Sequence, residues 1–319
     1  MPLLDEVEQS VRQDGTFMRN RSLEGIAEIR RRDAAGEAIP SHQLAGLIGT
    51  ITLECEKDVG REPERALRKI TLGLRLIDAW QDRLAQGAST VSTHQVTLLM
   101  LRWFLRGDAA DQQRAHQIVE ALDRSVTDPK EQGRATYRLA ADYEDLARMA
   151  RTAGRGREQQ IALLRDGIAL NKAGRARYPA YDSMVGLNAL YGKLQFVSGG
   201  SALPAYLDEW LSYLKTLPAE SQAKSGQSIS GALFQQGRDD EAVEWLTRYF
   251  DYWESAPMPP ALQTRFRESR CVHLGGDDDF AAFEQRAPSR AAPIRERACA
   301  GVKLEFDVQQ AVDALTSKD

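Results

Sequence analysis

Four histidines, three cysteines and a large stock of carboxylates are the side chains of this 319-residue sequence that could do chemistry. The tightest grouping is Cys271, His273 and Asp277. It offers a thiolate, an imidazole and a carboxylate, donor types that zinc takes. The same stretch also reads as structure. Gly275-Gly276 would end one helix, and Asp277 would cap the next, with acids at its dipole-positive end. The capping reading is the expected one, and neither a metal nor a cofactor is expected. His42, His94, His116 and His273 include no pair spaced four apart and no H-E-x-x-H. His94 and His116 could face each other across a helix pair, as structural histidines. "GLNALYGKL", from Gly186, is close to a phosphate-binding loop but departs from it. The gap to Gly192 is one residue too long, Leu194 replaces the Ser/Thr, and no strand precedes it. Nucleophile elbows, GxGxxG turns and paired-cysteine zinc motifs are missing.

Composition sets the frame for these residues. The chain is 42% hydrophobic and 28% charged, so it can build a core and a large solvated surface. Its net charge of −4 argues against general nucleic-acid binding, which needs a basic surface to displace phosphate counterions. No apolar run approaches the ~20 residues that span a bilayer. The start, "MPLLDEVEQSVRQDG", has no basic segment followed by a long apolar run, so a secretory signal is not expected. Three sparse cysteines, Cys55, Cys271 and Cys299, predict reduced thiols in a cytoplasm, although Cys271 and Cys299 could be spatial neighbours. Arginine outnumbering lysine, with abundant alanine, fits a bacterial coding sequence.

The elements that position these residues read as helices. Apolar residues recur at three- and four-residue spacing, as in Leu44, Leu47, Ile48 and Ile51. Leu139, Tyr143, Leu146 and Met149 repeat the pattern, and so do Trp245, Leu246 and Tyr249. Pro40-Ser41, Pro63, Gly107-Asp108, "GRGRE", "VSGGS", "TLPAES", "QQGRDD", "SAPMPP" and "GGDDD" punctuate the chain. The spacing predicts leading helices at 2–13 and 20–35. Pairs follow at 41–57 with 63–85, 92–106 with 109–126, and 131–152 with 157–174. Further pairs fall at 180–198 with 202–216, 220–236 with 239–254, and 259–274 with 278–286. A last helix is expected over 290–315. Residues 1–40 then form N-terminal capping helices, 41–288 a repeat array, and 289–319 a C-terminal cap, with no clear domain boundary.

The second helices share a small residue followed by residues four and seven positions later. Ala66, Ile70 and Gly73 do this, as do Ala115, Val119 and Leu122, and Ala242, Leu246 and Tyr249. Gln160, Leu164 and Gly167 fit more loosely. Small residues let helix backbones approach closely while larger ones fill the groove beside them. This pattern resembles the tetratricopeptide-repeat (TPR) family or its longer-helix relatives. In "ISGALFQQGRDDEAVEWLTRYFDYW", Leu233 stands at the family's aromatic position and Gly237 at its turn. Leu139, Ala140 and Tyr143 match the first-helix pattern, and Trp103 and Gly107 repeat the aromatic-to-glycine spacing. The small positions at 66, 115 and 160 are wider apart than the family period of about 34 residues, so the repeats are degenerate, with lengthened helices.

The resemblance implies an all-α, right-handed α-α superhelix, a solenoid of about six hairpins whose first helices line a concave face. It implies a non-catalytic scaffold that binds a peptide or protein segment there. Arg134, Tyr137, Arg138 and Ala141 would then turn toward the groove, where arginine forks suit carboxylates. Asn188, Lys193, Lys224 and Gln227 would offer polar contacts to a bound backbone. Two other readings stand beside it: a sensor closing on a small ligand or signalling peptide, and an enzyme with an atypical helical site. "NKAGRARYPAYD" interleaves Lys172, Arg175 and Arg177 with Tyr178 and Tyr181, a composition that could hold single-stranded nucleic acid; a short loop between repeats is the expected reading. In "TLLMLRWFL", the stripe Val96, Leu99, Met100 and Trp103 is assigned to packing. Leu98, Leu101 and Leu105 are either buried by neighbouring helices or form the apolar floor of the groove.

Overall fold

The computed structural model describes residues 2–13, 19–37, 39, 41–80, 88–181, 184–198 and 204–302. Among them are fifteen helices and no strand, so the chain is all-α. It divides into two compact units, Met1–Val197 and Ser198–Asp319. The division falls at the "VSGGS" breaker, within the stretch the sequence reads as one array.

In the first unit the helices are α1 (Pro2–Gln13), α2 (Arg19–Ala34), α3 (Ser41–Asp58), α4 (Pro63–Trp80), α5 (Ala88–Arg106), α6 (Ala109–Ser125), α7 (Arg134–Thr152), α8 (Arg157–Arg177) and α9 (Met184–Ser198). Three antiparallel hairpins, α3–α4, α5–α6 and α7–α8, form its body. Their first helices pack on one another, α3 on α5 and α5 on α7. The expected stripes are the ones that pack. Leu44, Leu47, Ile48 and Ile51 are buried, as are Leu139, Tyr143, Leu146 and Met149. Ala66 and Ala115 are completely buried, as close helix approach requires. In α5, Leu98, Leu99, Met100 and Leu101 are all buried, each contributing ~1.5–3 kcal/mol relative to exposure. This helix is covered on more than one face, and that accounts for its hydrophobicity.

Polar residues set the hairpin ends. Asp108 caps α6 by accepting from the Ala110 amide at 3.0 Å. Asp123, near the end of α6, reaches forward to α7. Its carboxylate accepts from the amides of Ala135 and Thr136 at 2.9 and 3.1 Å and from Thr136 Oγ1 at 2.6 Å. Arg102 of α5 closes its hairpin with a bidentate bridge to Asp111 of α6, at 2.7 and 2.5 Å.

The second unit holds α10 (Pro204–Lys215), α11 (Ala219–Gln235), α12 (Asp239–Ser255), α13 (Pro260–Gly275), α14 (Asp278–Arg286) and α15 (Pro288–Cys299). α11 packs on α10, α12 and α14, and α13 packs on α14 and α15. Phe234 stacks on Phe283 with centroids 4.6 Å apart and meets Phe280 edge-on. Gly226 brings α11 against α12 so closely that a Cβ there would stand 2.3 Å from the Trp245 carbonyl oxygen.

Several element bounds differ from expectation: α5 begins at Ala88 rather than 92, α7 at Arg134 rather than 131, and α8 continues to Arg177 rather than 174. α4 ends at Trp80, and residues 81–85 lie outside the described residues. α9 begins at Met184, because residues 179–180 form a turn after the buried Tyr178. α15 ends at Cys299 with a turn at 300–301, and 303–315 lie outside the described residues. The cysteine expectation is corrected: Cys271 and Cys299 form a disulfide joining α13 to α15, and only Cys55 is free. Burial pushes the Cys55 thiol far above its usual range. The two partners are 28 residues apart. Spacing alone does not show that helix packing brings them together.

Two outcomes follow from this packing. Gly226→Ala should cost about 1–3 kcal/mol through overpacking, while Gly275→Ala, with open space around it, should be neutral or stabilising by about 0.5 kcal/mol; chemical denaturation of the two variants reads the difference. Unfolded without reductant, the protein should titrate one thiol, and three after reduction; three from the start would remove the bridge.

Candidate functional site

A pocket of about 410 Å³ opens in the first unit where the last turn of α5 meets the start of α8. Trp103, Phe104, Leu105, Arg106 and Gly107 come from the end of α5, and Arg155 from the turn before α8. The facing wall is Gln159, Ala162, Leu163 and Asp166, whose spacing of three, four and seven puts them on one face of α8. The volume lies within the ~300–1,000 Å³ range of small-molecule sites.

The turn that carries Arg155 is closed by its own backbone. The Arg155 amide donates to the Ala150 carbonyl at 2.8 Å, and Gly154, in a left-handed conformation, donates to the Arg151 carbonyl at 3.1 Å. The Arg155 guanidinium lies over the Phe104 ring, Cζ 3.8 Å from the centroid. Burial lowers its pKa, because the cation loses part of its hydration. No carboxylate among the described residues pairs with it or with Arg106. Burial also raises the pKa of Asp166, against the opposing pull of His116.

Trp103 links the pocket to a second polar cluster. It packs edge-on against Tyr143, centroids 6.0 Å apart. Tyr143 Oη accepts from Gln112 Nε2 at 2.8 Å and lies 3.3 Å from His116 Nε2. Burial lowers the His116 pKa and raises that of Tyr143. Neither residue lines the pocket. His94 is elsewhere, its ring packed over Gly49. His94 and His116 thus sit in two separate environments rather than facing each other, the alternative the sequence left open.

The residues expected in a groove are placed as follows. Arg134 is exposed and pairs with Glu131 at 3.2 Å. Arg138 is exposed, with Nε 3.5 Å from the buried Asp142. Lys193 is exposed, 3.9 Å from Glu144, and Asn188 is half-buried on α9. Lys224 and Gln227 belong to the second unit. Lys224 pairs with Glu220 at 2.6 Å, and half-buried Gln227 borders a water-sized void of about 10 Å³. Tyr137 is corrected, and of the two readings offered for Leu101 burial is the one found. Tyr137 is 7% exposed and stacks on Tyr181 at 4.7 Å; Leu101 is 1% exposed. Both are packing groups, because the neighbouring helices cover the face that an idealised repeat would leave open. Leu105 is half-buried and lines the pocket. The basic stretch is mostly helix: Lys172 to Arg177 continue α8, and only Tyr178 onward turns away.

Asp277 caps α14, accepting from the amides of Asp279 and Phe280 at 2.9 and 3.1 Å. With Cys271 in a disulfide, the Cys-His-Asp grouping does not form a metal site, and no cluster of three potential ligands is assembled among the described residues. No described helix is long and apolar enough to cross a membrane. Arg155, Gln159 and Asp166 were not singled out from sequence; the one usable signal was the α8 spacing of 159, 162, 163 and 166. No family model, curated protein or solved structure matches the chain.

Asp142, wholly buried on α7, is raised to about 7, first by burial and then by the charges of Asp145 and Glu56, with Arg138 opposing. Folded protein therefore keeps a proton that the unfolded chain has lost above about pH 4. That stabilisation is full in acid and is lost as pH rises through about 7. Asp142→Asn cannot ionise. It should melt higher than wild type at pH 8 and match it near pH 4; a gap independent of pH in circular-dichroism melts would refute the assignment.

Proposed function

We propose that the chain is a TPR-like helical-repeat scaffold, a right-handed array of about six hairpins that captures a peptide or protein segment without catalysis. The observation that carries this reading is the successive packing of first helices, α3 on α5 and α5 on α7. Such an arrangement leaves one edge of each hairpin free for a bound segment. Arg134, Arg138 and Lys193 supply cationic contacts on the exposed surface of the first unit. A segment rich in carboxylates suits them.

A second reading, a sensor closing on a small ligand, draws on the 410 Å³ pocket beside α5. Cysteine usage and composition lead to the expectation of a bacterial cytoplasm. The Cys271–Cys299 bridge instead supports an oxidising compartment, since cytosolic thiols are kept reduced.

Peptide display against the full chain tests the scaffold reading. Selected peptides should be enriched in Asp and Glu, and Arg134→Glu with Lys193→Glu should weaken them at least about fivefold. Arg267→Glu, exposed on α13, should leave affinity unchanged. Peptides without acidic bias, bound equally by both variants, would defeat the reading.

A further inference from the structure

Most arginines near the cores of these units are neutralised: Arg102 by Asp111, Arg65 by Asp58, Arg270 by Glu254. Arg155 is not. It is half-buried, its turn is pinned by backbone hydrogen bonds, and one face of its guanidinium is covered by Phe104. A cation held in a partly desolvated site without a counter-charge costs free energy that a bound anion would recover. Stacking on a ring occupies the face of the guanidinium and leaves its in-plane N–H edges available. A planar carboxylate meets those edges in bidentate fashion.

The rest of the pocket narrows the class of anion. Arg106 adds a second unneutralised cation at the wall, and Asp166 sets a carboxylate on the facing helix. Two positive charges against one negative favour a ligand carrying a single negative charge. A phosphate dianion would add repulsion from Asp166. Trp103, Leu105, Ala162 and Leu163 give an apolar surface for the remainder of the ligand, and Gln159 supplies an amide.

We propose that this pocket binds a compact apolar monocarboxylate, with the carboxylate on Arg155 and the apolar body against Trp103, Leu105 and Leu163. The site goes beyond the scaffold reading and does not depend on it. The same chemistry is carried by a simple arylalkyl acid and by an apolar α-amino acid, whose ammonium group would face Asp166.

Isothermal titration of the full chain with 3-phenylpropionate, phenylalanine, 3-phenylpropanamide and phenyl phosphate tests it. At least one carboxylate should bind, and the neutral amide should bind at least about tenfold more weakly. Phenylalanine above 3-phenylpropionate, with the order reversed by Asp166→Asn, assigns an amino acid; the opposite order assigns a simple acid. Arg155→Ala should weaken binding at least about tenfold. Ala162→Trp, a replacement at an exposed position of α8, should block the pocket whether or not the arginine variant folds. The proposal is overturned by equal binding of acid and amide, by tightest binding of phenyl phosphate, or by no carboxylate binding up to about 10 mM. Unchanged binding in the folded Arg155→Ala or Ala162→Trp protein would overturn it as well.

Discussion

The buried carboxylate of Asp123 is the contact on which the first unit turns. The start of α7 follows Gly133, which has no side chain to cap it. Its exposed amides are satisfied instead by a residue of the previous helix, Asp123. A cap of this kind contributes ~1 kcal/mol. It also does what a local cap cannot, because it ties the α7–α8 hairpin to the α5–α6 hairpin. From that anchor α7 carries Asp142 and Tyr143 into the core and delivers the turn that holds Arg155. The pocket walls come from α5 and α8, so their spacing depends on this junction.

Charge is managed differently in different parts of the unit. Arg102 and Asp111 neutralise each other across their hairpin. Asp142 is buried with only two long contacts, to exposed Arg138 at 3.5 Å and from the Thr97 hydroxyl at 3.4 Å, so its charge is poorly supported and its proton is held to about pH 7. Arg155 has an aromatic ring in place of a carboxylate. Asp142 lies at the middle of α7 and Arg155 in the turn just past its end.

The second unit relies on another buried arginine. Arg270 donates to the carbonyls of Arg297 and Ala298 at 2.7 and 3.1 Å and to Glu254 at 2.8 Å, with Phe250 against its guanidinium. It satisfies the orphan carbonyls at the end of α15. The adjacent Cys271 joins covalently to Cys299 in the same turn. Neighbouring residues of α13 thus grip the end of α15 by two independent means, which suits a short helix with few buried side chains of its own.

Helix existence, most helix ends and the packing stripes were legible in the sequence, because periodicity, proline and capping aspartates act within a few residues. Asp108 and Asp277 cap the helices that follow them for this reason. Burial on a second face was legible only as one of two alternatives at Leu101 and was missed at Tyr137. Tyr137 looks like a groove residue, and Leu101 is undecided between groove and core, until neighbouring helices are placed over them. The candidate pocket was hidden in the same way: Leu105 was visible, but Arg155 became notable only once it lacked a carboxylate and lay on Phe104. The disulfide likewise required α13 and α15 to meet. By itself the sequence determined an all-helical chain and the three hairpins α3–α4, α5–α6 and α7–α8. Tertiary packing decided which charges stay unneutralised and which cysteines pair, since both depend on contacts between residues far apart in the chain.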